Sequence, residues 1–116
     1  MNQKIIINVK HEINSASALT REQGKIIYDT IVKNINLENY IELDFKDVES
    51  IITPFLNVAI GKLYESYSSE ELNKFLTIIN IPTGKAASFN IVINNAKRYY
   101  ADNSSFEKTI KDTIDI

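Results

Sequence analysis

Two carboxylates two residues apart, Glu42 and Asp44, are the first side chains in this sequence whose spacing matches a chemistry. In an extended segment, residues i and i+2 share a face and lie ~7 Å apart. Carboxylates so placed can divide acid–base work or hold a divalent cation. No histidine accompanies them in the local sequence, and Asp44 stands where a strand's end passes into a turn, so capping is the expected role. The single histidine, His11, follows Lys10 after an apolar run and reads as a solvated turn residue. The segment Pro82-Thr83-Gly84-Lys85 has the look of a phosphate loop, but that motif needs glycine at position 79 and Ser or Thr at 86. Ile79 and Ala86 stand there instead, and Thr83 reads as a helix cap. Arg98-Tyr99-Tyr100 mixes a cation with aromatic rings, as single-strand binders do. It lacks a basic surround, and packing is the expected role of Tyr100. With no cysteine in the chain, disulfides, thiolate metal sites and thiol catalysis are excluded. No catalytic residue, cofactor or metal is assigned, and the chain is not expected to be an enzyme.

The elements that must position any site come from one domain's worth of sequence, 116 residues. An apolar share of 44% and a charged share of 24% match a soluble globular domain and exclude a disordered chain. A net charge of −2 and a pI near 5.4 provide no basic field for nucleic acid or anionic lipid, so neither is expected as a partner. The longest apolar run, Ile5-Ile6-Ile7, falls far short of the ~20 residues that span a bilayer. The opening Met1-Asn2-Gln3-Lys4 is not followed by the apolar stretch of a leader, so the expected address is the cytoplasm. The 20 isoleucines and 13 asparagines fit an AT-rich, bacterial genome.

Periodicity then divides the chain. Residues 4–9 are β-branched and predict a strand. Thr20-Arg21-Glu22-Gln23 has the form of a capping box, and Gly24, Ile27, Tyr28, Ile31 and Ile35 follow at helical spacing. Residues 40–45 alternate, with Ile41, Leu43 and Phe45 on one face. A helix is expected after Thr53 as N-cap with Pro54 in its first turn, carrying the stripe Leu56, Ala59, Ile60, Leu63 and Tyr67. Ser68-Ser69-Glu70-Glu71 is a second capping box, residues 75–81 a third strand, and residues 84–100 a helix with Phe89, Val92, Ile93, Ala96 and Tyr100 inward. A further helix is expected over about 104–114, with the stripe Phe106, Ile110 and Ile114 docking on the parent domain or pairing two copies as a homodimer. Strands alternating with helices imply crossover connections and an α/β sheet: one domain over 1–116, its core at about 4–100.

One stretch does more than fold. From Leu43 to Gly61 a strand ends, a short loop follows, and a helix opens on a hydroxyl residue. This resembles the core motif of STAS domains, the sulphate transporter and anti-sigma factor antagonist family, in which a Leu-Asp-Leu-like strand end leads through valine to an Asp-Ser-Ser-Gly-Leu turn. Leu43, Asp44 and Phe45 match the strand end and Val48 the loop valine. Thr53 and Pro54 fall on the two serines, Phe55 on the glycine, Leu56 on the leucine, and Gly61 on a small residue farther along. Asp-Phe in the strand, a hydroxyl beside Phe-Leu at the helix start, and Thr20-Arg21 with Gly24 look most like the divergent STAS-like family of unknown function. The resemblance runs from about Ala18 to Tyr100.

What it implies is a STAS-like mixed or parallel sheet packed by about four helices, and a non-enzymatic, regulatory protein-binding module. The implied partner is a protein, of the histidine-kinase-like ATPase or anti-sigma factor kind. In anti-sigma factor antagonists a serine at this helix start is phosphorylated, and only the unmodified form docks. That serine corresponds to Pro54, so the candidate phosphorylation site is Thr53, and the candidate partner-binding residues are Ser50, Thr53, Pro54, Phe55 and Asn57. A phosphate adds a charge of about −1.5 to −2, tolerated locally at a helix start yet repelled by an acidic or desolvated partner. The other reading is a small-ligand or nucleotide sensor using the crevice at the strand carboxyl ends.

Overall fold

The computed structural model describes the backbone of residues 3–115 and the side chains of residues 3–101. The β-branched run forms β1 (Lys4–Asn8), and Asn8 then caps a short α1 (Val9–Ile13) by accepting the His11 amide at 2.8 Å. Val9 thus begins a helix where a strand end was expected. After β2 (Ser17–Ala18), Thr20 caps α2 (Arg21–Asn36) with both bonds of the expected capping box. The strand β3 (Tyr40–Asp44), a turn and β4 (Ser50–Ile51) lead into α3 (Thr53–Ala59). A 3₁₀ turn (Gly61–Glu65), α4 (Ser69–Phe75), β5 (Leu76–Ile79) and α5 (Ala86–Asp115) complete the order.

The main sheet has the order β1-β3-β5 with parallel pairing throughout, and β2 and β4 form a separate parallel pair. The register places Ile7 beside Leu43 and Leu43 beside Ile78, and this face meets the helices. Ile27 and Ile31 from α2, Phe55, Leu56 and Ala59 from α3, and Phe89 and Val92 from α5 join Ile41, Leu43 and Phe45 in one core. Phe45 and Phe89 meet edge to face at 5.0 Å, fastening β3 to α5. Alternate residues Lys4, Ile6, Tyr40 and Thr77 are exposed, so the helices cover only one face.

Three expectations about the helices change. The stripe Leu56 to Tyr67 does point inward, but Ile60 (φ −120, ψ −50) breaks the helix into α3 and the 3₁₀ turn. Among the described residues there are five α-helices where about four were expected, and no new helix starts at 104, because α5 runs unbroken from Ala86 to Asp115. The side chains of Phe106, Ile110 and Ile114 lie outside the described residues. Thr83 is not a helix cap: Lys85 N–H closes a turn onto the Pro82 carbonyl at 3.0 Å, with Gly84 at φ +82, a geometry that favours glycine. Among the described residues no helix is long and apolar enough to cross a membrane.

Candidate functional site

The turn into α3 is positioned by two contacts. One is the β2–β4 pair, in which Ala18 sits beside Ile51 and the Ile52 amide donates to the Ala18 carbonyl at 3.1 Å. The other is the seam between α2 and α3, where Gly24 lets the helices touch. A β-carbon on Gly24 would lie 2.7 Å from the Phe55 carbonyl oxygen and 3.0 Å from the Val58 β-carbon. Only glycine permits this approach, and it fixes the height of α3 against α2.

Strand alternation explains what the turn presents. Ala18 and Ile51 point into the core, so the residues that follow them, Leu19 and Ile52, point out, each 42% exposed. Two large apolar side chains therefore stand side by side in water at the entrance to α3. Thr53, exposed, comes next, and Asn57, one turn on along the same face, is also exposed. Asn57 forms one wall of a cleft of about 310 Å³ completed by Gly61, Asn95, Ala96, Tyr99 and Tyr100. Tyr99, 61% exposed, continues the surface onto α5.

The structure revises two of the expected site residues. Phe55 is fully buried, in contact with the core, and cannot serve as an exposed docking anchor. Helix α3 is short and enclosed by α2, α5 and the sheet, so it buries both Phe55 and Leu56. Thr53 is not the N-cap. Ile52 occupies that position with extended backbone (φ −122, ψ 162) and supplies no side-chain cap, which leaves Thr53 and Pro54 in the first turn. Ser50 and Pro54 are half-buried. Of the expected set, then, Thr53 and Asn57 are presented openly, Ser50 and Pro54 partly, and Phe55 not at all. Sequence reasoning missed Leu19 and Ile52, whose signal was the alternation of two short paired strands far apart in sequence.

The carboxylates have structural partners. Glu42 pairs with Lys4 of the neighbouring strand at 3.0 Å. Asp44 Oδ1 accepts the Lys46 amide at 2.9 Å and the Asn80 side-chain amide at 2.9 Å, tying the β3 turn to the end of β5. At the carboxyl end of β1, Asn8, Lys10, His11, Asn14 and Ser15 line a shallow cleft of about 330 Å³.

This arrangement of strand end, loop and short helix lies inside the part of the chain that matches a family model, residues 23–83, described as the STAS-like domain of unknown function (DUF4325). The chain belongs to this family. No curated protein and no solved structure matches it. The matched region of the STAS-like domain begins in the first turn of α2, includes Gly24 and the whole of α3, and ends just beyond β5. Leu19, by contrast, precedes it.

Proposed function

We propose that this STAS-like domain is a regulatory protein-binding module that docks a partner protein on the turn between β4 and α3. The reading rests chiefly on the adjacent, outward-pointing Leu19 and Ile52 beside the exposed Thr53. Apolar side chains held by strand pairing and by a glycine-tight helix seam lose little freedom on binding, which favours docking. Exposed apolar groups gathered on one rigid feature mark interaction sites, whereas scattered ones do not.

Thr53 is the switch in this reading. Its hydroxyl is exposed, makes no cap bond, and borders the apolar pair, so a kinase can reach it without unfolding the helix. A phosphate there carries about −1.5 to −2 charges into a surface that must be desolvated on docking. The partner class implied by the family resemblance is a kinase-like ATPase or an anti-sigma factor. The test places a photo-crosslinking amino acid at position 52, with Ile91 on α5 as the control position, and identifies the captured protein. That protein, purified, should bind wild type and lose affinity for Ile52→Asn and Thr53→Asp. Equal capture at both positions, or undiminished binding of both variants, refutes the proposal.

A further inference from the structure

Past the 3₁₀ turn, where Tyr67 reaches the last residue of α2, three tyrosines converge on an unassigned cleft. Tyr64, Tyr67 and Tyr100 line a space of about 340 Å³ together with Glu65, Ser66, Ser68, Ser69, Lys97 and Ala101. That volume is at the small end of ligand sites, ~300–1,000 Å³. The rings are held. Tyr67 Oη donates to Asn36 Oδ1 at 3.0 Å, Tyr64 packs against the core, and Tyr100 rides on α5, which the core anchors through Phe89 and Val92. Burial first, and the Glu65 carboxylate second, push the Tyr100 phenol above its usual 10.0, so it stays neutral at physiological pH and its ring face remains electron-rich. The same two causes, in the same order, raise Tyr28 nearby.

The charges on this cleft are unusual in their separation. Glu65 and Lys97 both line it, yet among the described residues no ion pair joins them. Aromatic faces attract a cation, most strongly one that sheds water easily, such as a methylated ammonium. A carboxylate beside the rings adds to that attraction, while an ammonium across the cleft offers a partner to an anion. We propose that this cleft binds a small zwitterion in which a methylated ammonium seats against Tyr64, Tyr67, Tyr100 and Glu65 and a carboxylate reaches Lys97. The site shares Tyr100 with the cleft beside Asn57, but it uses none of Leu19, Ile52 and Thr53, so it is tested separately from the docking proposal.

The experiment is an NMR titration of the full chain with three probes: glycine betaine, choline, which lacks the carboxylate, and 3,3-dimethylbutanoate, which replaces the ammonium nitrogen by carbon. Betaine is expected to shift the amide resonances of residues 64–69 and 97–101 saturably and to bind ~5-fold or more tightly than either other probe. Glu65 and Lys97 are exposed, so their substitution leaves the fold intact. Glu65→Gln should weaken betaine by about 5-fold and leave dimethylbutanoate unchanged, while Lys97→Gln should weaken both and leave choline unchanged. Choline or dimethylbutanoate binding as tightly as betaine overturns the proposal, as does the absence of any saturable shift up to about 50 mM.

Discussion

Replacing Gly24 by alanine puts two physical effects in direct opposition. Alanine is the better helix former by about 1 kcal/mol, so on an exposed helix the change would stabilise. Here the new β-carbon would stand 2.7 Å from the Phe55 carbonyl oxygen, 3.0 Å from the Val58 β-carbon and 3.3 Å from the Ala59 amide nitrogen. Carbon pairs settle at ~3.5 Å, so α2 and α3 must part by roughly 0.5 Å. Two of the three atoms met are backbone and cannot rotate away. Overpacking of this kind costs about 1–3 kcal/mol, and after the propensity gain the net loss is expected at about 0–2 kcal/mol, centred near 1 kcal/mol. Urea denaturation followed by circular dichroism would show a lower midpoint with an unchanged slope, and the melting temperature would fall by about 4–8 °C. A variant more stable than wild type by about 1 kcal/mol, the propensity gain alone, would mean that the helices do not touch at Gly24.

The remaining predictions concern the site and its surroundings. Phe55→Ala should cost about 3–5 kcal/mol, because the ring is fully buried; a loss below about 1 kcal/mol in the same assay would restore it to the surface. Thr53→Ala should cost less than about 0.5 kcal/mol, since Ile52 rather than Thr53 occupies the cap position; a loss of about 1 kcal/mol would mark a true cap. Burial raises the phenols of Tyr28, Tyr64, Tyr67 and Tyr100 above 10.0. A raised folded-state value means that the native state holds its protons longer, so stability is full below pH 10 and declines as pH rises through the folded values. Phenolate absorbance in the native and urea-unfolded protein should show native tyrosines titrating later, and coincident curves would contradict this.

Local signals with local causes were readable in the sequence. Both capping boxes, at Thr20 and Ser68, are intact, because each is a bargain between residues three apart. The alternation of Ile41, Leu43 and Phe45 and the inward stripe of Leu56, Ala59, Ile60 and Leu63 also stand, since each follows from one face meeting a core. What failed was set by distant neighbours. Phe55 lies off the stripe of an isolated helix, but a helix enclosed on several sides buries residues off its main stripe. The phase of α3 slipped by one residue because Pro54 suits either of the first two helical positions. The paired segments Ser17–Ala18 and Ser50–Ile51 are too short for any period to show, and they exist only because the rest of the fold brings them together. The exposed pair Leu19 and Ile52 was hidden for the same reason. The tyrosine cleft draws on Tyr64 and Tyr67 beyond the break at Ile60 and on Tyr100 from α5, a grouping that no single segment announces.

The central claim, that the α3 turn docks a partner and that charge on Thr53 releases it, is tested most directly by one affinity series. The partner crosslinked through position 52 is titrated against wild type, Ile52→Asn, Thr53→Asp and Thr53→Ala, each first shown to melt cooperatively. A centrally placed apolar anchor or a buried new charge is worth at least ~1.4 kcal/mol, or about tenfold in affinity. Ile52→Asn and Thr53→Asp should therefore bind about tenfold or more weakly, and Thr53→Ala nearly as tightly as wild type. Wild-type affinity in both Ile52→Asn and Thr53→Asp would place the partner elsewhere on the domain and contradict the claim.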